Sequence, residues 1–141
     1  MDLVRLAEVL GKLSANDLLF RVLSRDDVQA FIINLNTEDQ LKTKNQDALG
    51  VKLSSNDPFG GYSITTQYLK NTTADKVTLY ESFVVIPYRN ASFDIESNTS
   101  IHGEDLRERW GANIEGIDSQ NFIRLNVYLE EKIIDEIERL L

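Results

Sequence analysis

The stretch that most constrains the fold runs over residues 77–97, where the residue pattern predicts a β-hairpin. Its first strand alternates Phe83, Val85 and Pro87 with Val84, Ile86 and Tyr88, and Arg89-Asn90-Ala91 follows as a turn. Phe93 and Ile95 then point one way, and Asp94 and Glu96 point the other. Proline has no amide hydrogen for a ladder, so Pro87 predicts an edge strand or a bulge. Two strands are marginal in water, and a strand at Val51 is the expected third partner.

Helical periodicity lies on both sides of the hairpin. Apolar residues recur at helical spacing from Leu3 to Leu13, then after a cap at Ser14 or Asn16, and again after Asp26 and Asp27. The stretch 24–27 is either a joint between two helices or an exposed turn within one. Thr37 and Gln40 have the spacing of a capping box, which predicts a short fourth helix ending at Lys44.

The C-terminal part is predicted to be helical as well. A short charged helix is expected over residues 104–110, closed by Gly111, and a long helix is expected from a cap at Ser119 to Leu141. Two apolar rows lie on the long helix: the main row is Phe122, Leu125, Leu129, Ile133, Ile137 and Leu140, and the second is Ile123, Val127, Ile134 and Leu141. Its apolar surface is thus wider than one packing face requires.

These elements predict one α+β domain covering all 141 residues, with packed helices against a small antiparallel sheet. Its parts are a helical region (1–44), a long polar loop with a short strand (45–76), the hairpin (77–100) and the C-terminal helices (104–141). Asn, Asp, Ser, Thr, Gly and Lys dominate the loop, and loops of this length tend to be functional or mobile.

The residue inventory argues against catalysis. The chain has no cysteine and one histidine, His102, in a polar segment without a nucleophile beside it. No catalytic residue, cofactor or metal site is predicted, and the crowded carboxylates of the last helix are expected on its wet face. The net charge of −8 opposes specific nucleic-acid binding. No stretch approaches the roughly 20 apolar residues that a membrane span needs. A hydrolase or nuclease built from acidic residues is the least favoured class.

The order of the segments resembles tail-completion and head–tail connector (neck) proteins of tailed phages, in the versions found in phages of Bacteroidetes-type hosts. Short motifs carry the likeness over most of the chain: Asp47-Ala48-Leu49-Gly50, Tyr62-Ser63-Ile64-Thr65-Thr66 with Lys70, Glu81-Ser82-Phe83, Phe31-Ile32-Ile33-Asn34-Leu35 and Trp110-Gly111-Ala112-Asn113-Ile114. The chain departs from the family pattern between Tyr80 and Glu81, where an Asp-Thr-Gly turn is missing.

The resemblance implies a non-enzymatic virion protein, assembled in the host cytoplasm as a ring that joins head to tail or completes the tail. Its partners would be other copies and virion proteins such as portal, connector or tail tube, and an acidic surface suits the wall of a DNA channel. The expected interface residues are Phe83, Ile86, Tyr88, Phe93, Phe59, Tyr62 and Tyr68. The alternative is a cytosolic adaptor or regulator that binds a protein partner through its C-terminal helix.

Overall fold

The fold is described from a computed structural model. It describes residues 14–51, 82–97 and 112–140, with Val4, Glu8, Gly11 and four strand residues at 100–101 and 104–105. Of the helix predicted over residues 3–13, the three described positions are helical. Of the polar loop predicted over 45–76, residues 45–51 are described, and Val51 is in no strand, so the predicted third partner of the hairpin is not found there. Residues 52–76, with Phe59, Tyr62 and Tyr68, lie outside the described residues, as does His102.

Two short helices follow one another, and Ser14, one of the two predicted cap residues, starts the first. Helix α1 (Ala15–Leu23) begins at Ser14, whose Oγ accepts a hydrogen bond from the backbone N–H of Asp17 at 3.0 Å. Arg25 is in an extended conformation and starts helix α2 (Asp26–Asn34) in a new direction. The stretch 24–27 is therefore a joint between two helices.

A π-helix (Leu35–Lys44) continues α2 without a break and ends at Asn45, which has a left-handed conformation with φ 53°. The helix through Lys44 is present, but the predicted capping box is wrong. Thr37 lies inside the continuous helix, and its Oγ1 donates to the carbonyl oxygen of Ile33 at 2.9 Å. Since the chain before Thr37 is already helical, no free helix start exists there to cap.

The hairpin is confirmed, with β1 (Val84–Tyr88) antiparallel to β2 (Ser92–Glu96). The pairing runs without a bulge from Val84 opposite Glu96 to Tyr88 opposite Ser92, and Pro87 lies opposite Phe93. The three-residue turn ends at Ala91, whose φ of 65° is left-handed, as hairpin loops of this length require.

The region after the hairpin differs from the prediction in two places. Glu104–Asp105 forms a short strand, β4, paired with β3 (Ser100–Ile101), so the predicted helix over 104–110 is wrong at its start. After a 3-10 turn (Ala112–Ile114), helix α3 spans Ser119–Leu140. Its cap is Asp118 rather than Ser119, because the Asp118 carboxylate accepts from the backbone N–H of Asn121 at 2.7 Å.

One hydrophobic core joins the helices and the hairpin: Val22, Leu23, Val28, Ile32, Leu35, Val85, Ile117 and Leu125 are all nearly inaccessible to solvent. Helices α1 and α2 contact both α3 and β1. The predicted α+β class, with N-terminal helices and a long C-terminal helix around a small antiparallel hairpin, is confirmed. Among the described helices, none has the length and apolar character needed to cross a membrane.

Candidate functional site

Buried amide side chains attach the segment before α3 to the π-helix. The Asn36 side chain donates to the carbonyl oxygen of Ile114 at 2.9 Å and accepts from the backbone N–H of Gly116 at 2.8 Å. Gln40 donates to the carbonyl oxygen of Gly116 and accepts from the backbone N–H of Asp118, both at 2.8 Å. Both amides are fully buried. They therefore pair with the backbone as a neighbouring strand would, and they fix where α3 begins.

Gly116 allows that close approach. Its φ is 142°, and a Cβ added there would lie 2.9 Å from the Cβ of Ala48. A side chain at this position would be strained by the backbone conformation and would also collide with a neighbour. The glycine is thus part of the support for the start of α3.

Asp39 and Arg124 are among the residues that line an open pocket of about 350 Å³ next to this support. The Asp39 carboxylate accepts from Asn121 at 2.8 Å and pairs with Lys44 at 3.1 Å and Arg124 at 3.4 Å. Burial acts to raise the pKa of Asp39, but these hydrogen bonds and charges outweigh it, and the net pKa is lowered. These contacts thus hold the half-buried carboxylate in its ionised form.

Several of the described carboxylates form ion pairs with Lys or Arg side chains. Among the described residues, no three His, Cys, Asp or Glu side chains lie close enough to hold a metal ion. Glu136 is buried and lies 3.6 Å from Arg139 and 3.8 Å from Arg25, which is an ion-pair setting. The candidate site is formed by the outward apolar surfaces of the described residues.

The first surface is the outward face of β1, which carries two of the predicted interface residues, Ile86 and Tyr88. Val84 is 50% exposed and Tyr88 is 40% exposed, with Ile86 half-buried between them. The Tyr88 hydroxyl donates to Asp94 at 2.8 Å, and this hydrogen bond raises the pKa of Tyr88. We call Val84, Ile86 and Tyr88 the hairpin face.

The other described residues predicted for the interface point inward. Phe83 is 4% exposed, so it contributes to the interior and not to the hairpin face. Phe93 is half-buried, packs against the core and lines a groove of about 510 Å³ beside β2. Strand alternation explains the split, because side chains at odd-numbered positions of this hairpin face the core.

The second surface is the side of α3 that faces away from the core. Ile123, Val127 and Ile134 are 67%, 58% and 56% exposed. They are three of the four residues of the second apolar row predicted from the sequence, while Leu141 lies outside the described residues. The main row faces inward, with Leu125 only 1% exposed, although its first member, Phe122, is 44% exposed.

The amide contacts of Asn36, Gln40 and Asn121 were not predicted from the sequence. A polar residue in a helical pattern normally indicates a solvated position, and nothing local marks these three as buried. The available signal in the sequence was Gly116, just before a predicted helix. A glycine there indicates a turn, and the backbone groups of a buried turn need hydrogen-bond partners.

Comparison with known proteins leaves the chain without an assigned relative. No protein-family model, no curated protein and no solved structure matches it.

Proposed function

We propose that this protein is a non-enzymatic structural component of a phage virion, at the neck or tail junction, which assembles as a ring. Support comes from the order of its sequence segments and from one structural observation. That observation is the hairpin face, an outward apolar surface on one strand of a two-stranded sheet.

In a closed ring every subunit contacts one neighbour on each side, so the hairpin face of one copy docks on a different surface of the next copy. The hairpin face and the second apolar row of α3 lie on different elements, so the ring contact leaves the α3 row accessible. Apolar side chains exposed on an ordered strand and helix are typical of protein–protein contacts when they are grouped. In this proposal the hairpin face makes the contact between copies.

Light scattering and electron microscopy of the purified full chain test the ring. Wild type should form a discrete oligomer, and a variant carrying Val84→Thr and Tyr88→Thr should shift to monomer, since both changes keep strand propensity but remove apolar surface. The matched control is Leu49→Gln, which changes an apolar residue that is 72% exposed elsewhere. Wild type that stays monomeric at every concentration contradicts the ring.

The virion assignment has its own test. Mass spectrometry of particles purified from the host that carries the gene should detect the chain at a fixed ratio to the other structural proteins. Its absence from intact particles contradicts the assignment.

A second function, an adaptor or regulator that binds one protein partner through its C-terminal helix, is favoured by the exposed row on α3 alone. It predicts a stoichiometric complex with a single partner and no ring. The oligomeric state of the wild-type chain separates the two.

A further inference from the structure

Helix α3 has apolar residues on two opposite sides. Successive residues of a helix are rotated by about 100°, so Ile123, Val127 and Ile134 lie almost opposite the residues two positions later. Those later residues are Leu125, Leu129 and Glu136, which are buried or half-buried toward the domain. A helix with apolar residues on both sides is normally covered on both. The inner side is covered by the core, and the outer side remains accessible.

The charges of α3 are divided between the same two sides. Its three described cations all pair with carboxylates on the domain side: Arg124 with Asp39 at 3.4 Å, Lys132 with Asp27 at 3.4 Å and Arg139 with Glu136 at 3.6 Å. Three exposed carboxylates, Glu130, Glu131 and Glu138, border the apolar row instead. By helical geometry, Glu130 lies on one flank and the other two lie on the opposite flank.

We propose that this outer face of α3, an apolar row bordered by three glutamates, is the docking surface for a different protein that presents an apolar row bordered by lysine or arginine. An amphipathic helix with basic flanks has that chemistry and pairs with such a surface. The inference rests on the proposed mode of action, which is binding to other proteins, and it does not require the ring.

Charge complementarity selects this occupant over two others. A second copy docked through the same face would bring six glutamates around one apolar seam, and like charges at a contact oppose association. A membrane surface with anionic lipids would repel the same carboxylates. A basic partner gains from both the apolar row and its border.

The test measures binding of the full chain to a fluorescent amphipathic helical peptide with leucine on one face and lysine on its flanks. Its twin, with glutamate in place of each lysine, is the matched probe. Wild type should bind the lysine peptide, bind the glutamate peptide at least about tenfold more weakly, and lose affinity as salt rises.

Two sets of substitutions locate the binding. Changing Ile123, Val127 and Ile134 together to glutamine preserves helix propensity and net charge, and it should weaken binding at least about tenfold. Glu131→Gln should weaken it more than Glu96→Gln, which removes the same charge from the hairpin. Circular dichroism should show each variant folded, as expected for exposed positions.

Three results would overturn the proposal. The first is equal binding of the lysine peptide by wild type and the glutamine variant, since that would leave only non-specific charge attraction. The second is a wild-type dimer that the glutamine variant dissociates, which would assign the face to a second copy. The third is binding to neutral lipid vesicles but not to the peptide. The Val84→Thr, Tyr88→Thr variant should bind the peptide normally, so failure of the ring and failure of this surface are seen separately.

Discussion

Gln40 and Gly116 are 76 positions apart in the chain, and the Gln40 side chain donates to the Gly116 carbonyl oxygen at 2.8 Å. The same amide accepts from the backbone N–H of Asp118, the residue that caps α3. The start of the helix that carries the proposed docking surface is thus held by a side chain in the N-terminal half of the protein.

Gln40→Leu should be strongly destabilising despite its apolar replacement. Leucine fits a similar volume but leaves the Gly116 carbonyl and the Asp118 N–H buried without this partner, and each such loss costs about 1–3 kcal/mol. Chemical denaturation should show a lower free energy of unfolding. The control is Asn34→Leu, an exposed position of α2, which should change stability by less than about 0.5 kcal/mol. Equal effects would show that the amide contacts contribute little.

Gly116→Ala should destabilise the protein by at least about 2 kcal/mol, combining backbone strain with overpacking against Ala48. Adding Ala48→Gly should recover the overpacking part and leave the strain, because the Cβ that lies 2.9 Å away is then removed. Thermal and chemical denaturation of the two variants measure both parts. No recovery in the double variant would place the whole cost in the backbone.

Ala91→Gly should stabilise the protein by up to about 1 kcal/mol, because alanine occupies a left-handed conformation there and glycine adopts it without strain. The same substitution at Ala30, an exposed residue inside α2, should destabilise by about 1 kcal/mol. Opposite signs of the two changes in unfolding free energy are the expected result. Destabilisation by both would contradict a left-handed turn in the hairpin.

Stability should fall in acid partly through Asp39. The pKa of Asp39 is lowered in the folded protein from its ordinary value of 3.8. The ionised carboxylate therefore stabilises the fold at pH values above that ordinary pKa, and the stabilisation is lost as the pH falls through the lowered pKa. In Asp39→Asn the contribution is absent, so the difference in unfolding free energy from wild type should shrink between neutral and strongly acidic pH. Glu131→Gln, on the exposed side of α3, serves as the control. A difference that is constant with pH would exclude a role for the charge.

Local residue patterns were enough to predict much of the secondary structure. The hairpin with its turn at residues 89–91 and the long C-terminal helix depend on neighbours a few positions away. The same local patterns narrowed the first cap to Ser14 or Asn16 and the stretch 24–27 to a joint or a turn. The two apolar rows of that helix were also visible in the sequence. Periodicity reports which residues share a side of a helix, and that does not depend on the rest of the fold.

Contacts between distant segments settled the remainder. Helical periodicity shows that α3 has two apolar rows, but it does not show which row packs against the core. In the structure the row with Leu125 is buried, while Ile123 and Val127 are exposed. Thr37 and Gln40 matched a capping pattern, yet the continuous helix and the backbone at Gly116 gave them other partners. Glu104–Asp105, helical by composition, pairs as a strand with Ser100–Ile101. Polar side chains pair with whichever buried backbone groups the tertiary structure brings next to them, so the partners of Thr37 and Gln40 could not be deduced from local sequence. A short strand forms only beside a partner strand, so the strand at Glu104–Asp105 could not be deduced from local sequence either.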